Sequence, residues 1–137
     1  MPKCPNSAGV ATLLFDTDIF IWIQRGNTKA ALLVEREDER LISVQTYMEL
    51  LQCARDKQQH AYTRSFLKDF GLRTLPFSAG IGHRASVYIE EYALSHGIRA
   101  GDAIVAATAV EDNLVLCTSN AKHFKFIKDL RLKAFRP

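Results

Sequence analysis

Apolar residues along this chain fall in short dense runs, separated by stretches with helical spacing. Val10 to Phe15 is dense enough for a buried strand. From Asp16 the spacing turns helical through "DIFIWIQR" and stops at Gly26-Asn27. Thr28 stands where a cap would open a second helix, "KAALLVERED". "RLISV" reads as a strand, and helix resumes at Thr46. "QQHAYTRSFLKDF" is a further helix closed by Gly71, and "LRTLPF" is a strand. Ala79 to His96 is a long helix closed by Gly97, and Asp102 opens the Ala-rich helix "AIVAATAVED". "LVLCTS" and "LRLKAF" are the last two strands. Strand and helix alternate, which predicts an α/β fold with a mainly parallel sheet. Residues 1–9, "MPKCPNSAG", read as a loose tail ahead of one domain at 10–137.

In a parallel sheet the functional crevice lies beyond the carboxyl ends of the strands. Asp16 follows the first strand, Glu49 lies just past the second, and Ser119 and Asn120 follow "LVLCT". Asp102 starts the helix before that strand. These residues are distant in sequence, yet the topology can bring them to one rim. Asp16 and Asp18 sit inside the apolar run "LLFDTDIF", where charge costs several kcal/mol unless it is bonded, paired or neutralised by a cation. Each acid also has a local explanation. Asp16 or Asp18 can cap the helix that begins there, and Asp102 can cap its own. Thr46-x-x-Glu49 matches a capping box, and Asn120 can cap the turn holding "AKHFKF". Taken jointly, acids meeting at one rim would repel each other, and a hard divalent cation, Mg²⁺ or Mn²⁺, removes that conflict.

Composition narrows the setting. The chain has 137 residues, 47% hydrophobic and 24% charged, enough for a full core. The net charge is only +3, but Lys122, Lys125, Lys128, Arg131, Lys133 and Arg136 face Asp129 alone near the C-terminus. That basic edge suits a polyanion, and equally suits a solubilising surface. Three cysteines with no C-x-x-C, and four histidines with no H-x-x-x-H, indicate neither a disulfide framework nor a zinc site. Residues 1–9 do not read as a signal peptide, and no apolar run is long enough for a membrane span, so a cytoplasmic location is expected. P-loop and G-x-G-x-x-G motifs are absent.

"LLFDTDIFIWIQRGN", "ISVQTYMELL", "GIRAGDAIVAATA" and "LVLCTSNAKHF" resemble, in that order, the blocks of PIN-domain ribonucleases, above all VapC-type toxins of toxin–antitoxin pairs. The resemblance spans about residues 12–136. It implies a three-layer α/β/α fold and a Mg²⁺-dependent endoribonuclease whose water nucleophile is activated by the metal and by Asp102 or Glu49. By similarity Asp16, Glu49 and Asp102 occupy the acidic metal-site positions. Asn120 stands at a fourth catalytic position that is often Asp. Thr118 matches a hydroxyl near the site, and Asp18 is auxiliary, supporting the adjacent helix start. The resemblance further implies a cognate antitoxin and a homodimer, and Lys122, Lys125 and Lys128 are expected to contact RNA phosphates. Two other functions compete. A haloacid-dehalogenase-type phosphatase would use Asp16 as nucleophile and Asp18 as acid, but Phe20 stands where that family has Thr or Val. A catalytically inactive RNA-binding module would keep the fold and lose the acids, and three are retained.

Overall fold

A computed structural model describes residues 11–137; the reading of residues 1–9 as a tail, and Val10 of the first strand, lie outside the described residues. Three residues suffice for the first strand, β1 (Leu13–Phe15), because all of them are buried. Their side chains alternate between faces, as a strand requires. Leu14 joins one core cluster, while Leu13 and Phe15 join the other. The same alternation recurs in β2 (Leu41–Ser43), with Leu41 on the first side and Ile42 on the second. A strand buried on both faces is the mark of a sheet covered by helices above and below.

The sheet is completed by β3 (Arg73–Leu75), β4 (Val115–Thr118) and β5 (Arg131–Ala134), in the order β3-β2-β1-β4-β5. Every pairing is parallel. The order reverses direction at β1, whose neighbours are β2 and β4, and a crevice forms at such a switch point. Two further helices, α5 (Ala79–His96) and α6 (Ala100–Glu111), cover one face. Ala103, Ala106, Ala107 and Ala109 are fully buried, so the small side chains of α6 let it lie close between α5 and the sheet. On that face Phe124, Ile127 and Leu130 pack at a spacing of three, which leaves Lys122, Lys125 and Lys128 exposed. On the opposite face α1 (Thr17–Gln24), α2 (Thr28–Glu35), α3 (Val44–Gln52) and α4 (Lys57–Asp69) enclose the second core. Phe15, Phe20, Phe66 and Phe70 form a chain of ring contacts there, with centroids 6.2, 6.5 and 4.9 Å apart. Arg40 ties this side together by donating to the carbonyls of Glu35, Glu37 and Phe70, beyond or at the ends of α2 and α4.

The three-layer α/β/α expectation therefore holds, with a wholly parallel sheet. The helix starts differ from the sequence reading in three places. Asn27, not Thr28, caps α2, accepting from the Ala30 N–H. Ser43, not Thr46, caps α3, because Val44 and Gln45 are already helical, so the Thr46-x-x-Glu49 capping box does not form. Asp102 does not cap α6; Arg99 takes the cap position with no side-chain bond, and Asp102 lies in the first turn. No helix among the described residues is long and apolar enough to cross a membrane.

The Ser43 cap generates the first prediction. Its hydroxyl is buried and accepts from the Thr46 N–H at 3.0 Å. Ser43→Ala is expected to lower the unfolding free energy by about 1 kcal/mol, read from the urea midpoint at an unchanged slope.

Candidate active site

Asp16 leaves the end of β1 and caps α1, its Oδ1 accepting the Thr17 N–H at 2.8 Å. Its other oxygen, Oδ2, accepts from the Thr118 hydroxyl at 2.8 Å, across the sheet from the end of β4. Capping and convergence therefore coexist in one carboxylate. Asp16 is 8% exposed. Burial pushes its carboxyl up to about 7, with the negative charges of Asp18 and Asp102 adding to the rise and the bonds from Thr118 and Thr17 opposing it.

Asp18 stands in the first turn of α1, where a carboxylate favours the helix start, and it also reaches across to the loop after β4. Its Oδ2 accepts from the Ser119 N–H at 2.9 Å, from Asn120 Nδ2 at 3.0 Å and from the Ser119 hydroxyl, with Thr118 Oγ1 3.3 Å away. Ser119 Oγ in turn accepts from Trp22 Nε1 at 3.3 Å. The other oxygen, Asp18 Oδ1, is buried with no hydrogen-bond partner. Asn120 is exposed, and its backbone N–H donates to Thr118 Oγ1 at 3.0 Å. It makes no side-chain cap bond to the 3-10 turn Ala121–His123.

Glu49 lies inside α3, released from any capping duty. Its Oε1 accepts from Thr17 Oγ1 at 2.7 Å, and Thr17 Oγ1 is 3.3 Å from Thr46 Oγ1. Thr17 thus links the residue after Asp16 to the third acid, a role that sequence reasoning missed. Gly101 brings the fourth acid close. A Cβ there would meet Gln45 Nε2 at 3.0 Å and Glu49 Oε2 at 3.4 Å, so the first turn of α6 lies close against the Gln45 and Glu49 side chains of α3 at position 101. Asp102 follows directly. Its carboxyl is raised, first by burial; the charges of Glu49 and Asp18 push the same way, while His123 and Arg99 pull it down. His123 and Arg99 are therefore neighbours of the acids; the sequence left His123 unassigned and gave no signal for Arg99.

The structure brings Asp16, Asp18, Glu49, Asp102, Thr118 and Asn120 to one rim. Lys122 and Lys125 are exposed on the segment that follows, and Lys128 borders a separate groove along α5 with Arg84 and Glu111. The donor set fits a hard divalent cation: the acidic donors are oxygens, their charges repel, and Asp18 Oδ1 is buried without a partner. Among the described residues the acids do not form a ready-made cage of three ligands.

A family model for the PIN domain matches residues 13–129. Ribonuclease VapC10 from Mycobacterium tuberculosis is 34% identical over 123 residues, covering 87% of this chain and 90% of the relative. A toxin-antitoxin complex from Klebsiella pneumoniae contains a chain 30% identical, with a TM-score of 0.72, covering 87% of this chain and 95% of that one. VapBC-1 from nontypeable Haemophilus influenzae is 24% identical, with a TM-score of 0.75 over 90% of this chain and 97% of that one, and shares the fold. The chain belongs to the PIN-domain family.

The raised carboxyls make metal-free stability pH-dependent. Between the ordinary value of 3.8 and about 7, folded Asp16 holds a proton that the unfolded chain has lost, so stability falls as pH rises through that window. Asp102 adds to the fall in the same direction. Asp16→Asn is expected to flatten the profile in EDTA. It should also raise the melting temperature at pH 8, by about 4 °C for each kcal/mol of burial cost and repulsion relieved. Scanning calorimetry across pH checks both.

Proposed function

We propose that this chain is a VapC-type toxin, a Mg²⁺-dependent endoribonuclease, with Mn²⁺ as a substitute. The observation that carries the reading is the convergence of Asp16, Asp18, Glu49 and Asp102 at the switch point of a parallel sheet, where burial and their mutual repulsion raise the carboxyls of Asp16 and Asp102. Identity to a protein named a ribonuclease supports it. Asp16, Glu49 and Asp102 would hold the cation, which, when bound, polarises a phosphate oxygen and lowers the pKa of a water.

The chain's own groups divide the remaining work. Thr118 fixes the Asp16 carboxylate through Oδ2, and Thr17 fixes Glu49 through Oε1. Asp18 locks Ser119 and Asn120, so the segment leading to Lys122 and Lys125 is held against the site. Asp102 or Glu49 would accept the proton from the attacking water. Asp18 Oδ2 serves as acceptor to its neighbours, a use that favours this reading over a phosphatase, which needs Asp18 as proton donor. Retention of the acids favours it over an inactive RNA-binding module.

The partners proposed are RNA as substrate, a cognate antitoxin and a second copy of the chain. The Klebsiella relative belongs to a toxin-antitoxin complex by its description, which supports the second of these.

Purified protein should cut single-stranded or loop RNA with Mg²⁺ or Mn²⁺ and stop in EDTA. Asp102→Asn should lose about a thousand-fold in rate, the equivalent of several kcal/mol of transition-state stabilisation. Because water is the nucleophile, the products should carry 5′-phosphate and 3′-hydroxyl ends. Cyclic-phosphate ends, or full cleavage in EDTA, would sink the mechanism. Replacing Lys122, Lys125 and Lys128 with Gln should weaken RNA binding and reduce the slope of log affinity against log salt, by roughly one for each lysine that meets a phosphate. An unchanged slope would remove these residues from the interface.

A further inference from the structure

Beside the acidic rim lies an aromatic group that the proposed chemistry does not use. The His96 and Phe126 rings stack with centroids 4.3 Å apart and planes 15° apart. The Tyr92 ring meets both edge-on, at 5.8 and 5.0 Å. Ser95 Oγ lies 2.7 Å from His96 Nδ1 and steadies the ring. His96 is exposed at the end of α5, while Phe126 and Tyr92 are half-buried against the core. The stack thus offers solvent a fixed planar surface on a buried footing.

Fastening the C-terminal segment to α5 does not account for an exposed stack. That segment is already anchored by buried Phe124, Ile127 and Leu130. Arg84 also pairs with Asp129 at 2.6 Å, and the Tyr88 hydroxyl donates to the same carboxylate at 2.9 Å.

The position of the stack is informative. Phe126 is three residues beyond His123, which lies close enough to act on Asp102. Three residues span at most about 10 Å, and the hydrogen bonds from Phe124 and Lys125 N–H to the Ala121 carbonyl shorten that path. His96 leads through Gly97 and Ile98 to Arg99, which also acts on Asp102. Both rings therefore sit on segments that lead within three residues to groups acting on Asp102, with Arg99 and Lys125 as cations on those same segments. A π-face flanked by cations is the chemistry that holds an unpaired base and its phosphate.

We infer that the His96–Phe126 stack, edged by Tyr92, is a base-stacking platform that holds an unpaired nucleotide of the RNA next to the scissile phosphate. The inference rests on the ribonuclease reading and adds to it a substrate requirement: a splayed base beside the cut. The open face of His96 receives the base, and Arg99 and Lys125 take the adjoining phosphates.

The test uses the whole protein in EDTA and short single-stranded RNAs carrying 2-aminopurine at successive positions around the mapped cut. Stacking quenches that fluorophore. Wild type should quench at one or two positions beside the cut. His96→Ala should abolish that quench and weaken binding about ten-fold, and His96→Trp should restore both. With Mg²⁺, His96→Ala should raise KM with little change in kcat for a loop substrate. Equal quenching and affinity in wild type and His96→Ala would overturn the platform, as would a wild type that cuts RNA without quenching at any position. A shift of His96→Ala from dimer to monomer in sedimentation, with RNA binding intact, would assign the surface to a second copy and also overturn it. A wild type that cuts no RNA with Mg²⁺ would instead overturn the ribonuclease reading beneath it.

Discussion

The arrangement turns on keeping four carboxylates together at the end of a parallel sheet. Buried charge of one sign is unfavourable, and the fold spends its polar groups on containing it. Thr118, Thr17, Ser119 and Asn120 each donate to one of the acids. Those donors come from α1 and from the end of β4, so each of these acids is restrained by an element other than its own. Asp18 acts as the fastener, joining α1 to the loop after β4 through one oxygen while the other stays unpaired. The donors hold the site in shape but do not remove the burial and the repulsion among its carboxylates, which raise the carboxyls of Asp16 and Asp102.

Much of this was legible in the sequence because the fold is built from strong local signals. Gly71 and Gly97 close their helices with positive φ, and the long helix runs over Ala79–His96 as its periodicity predicts. The acids after the first and second strands could be placed on one rim from topology alone. The misjudged details share one cause. Several polar residues near a helix start can each serve as its cap, and sequence does not rank them. Ser43 rather than Thr46 caps α3 because the strand ends one residue sooner than "RLISV" suggests. That shift of the boundary removes the local explanation for Glu49 and leaves its carboxylate for the site.

Other features could not be read because they depend on distance rather than pattern. Asp18 meets residues about a hundred positions away, and nothing in "DTD" distinguishes that reach from a local cap. Arg99 resembles any surface arginine until α6 sets it beside Asp102. Gly101 looks like a loop glycine, although it lies within a helix, close against the Gln45 and Glu49 side chains. His96, Tyr92 and Phe126 gave no signal, since two are on α5 and the third is thirty residues later.

The pairing of β1 with β4 also has a consequence for synthesis. β1 is the central strand and is made first, yet its neighbour on one side, β4, comes about a hundred residues later, and the bond from Thr118 to Asp16 spans that gap. Contacts so distant in sequence form late in folding. A chain emerging from the ribosome carries Asp16, Asp18 and Glu49 long before it carries the residues that hold Asp16 and Asp18 in place. A chain that has not yet supplied β4 therefore lacks the hydroxyl and amide donors that hold Asp16 and Asp18 at the rim.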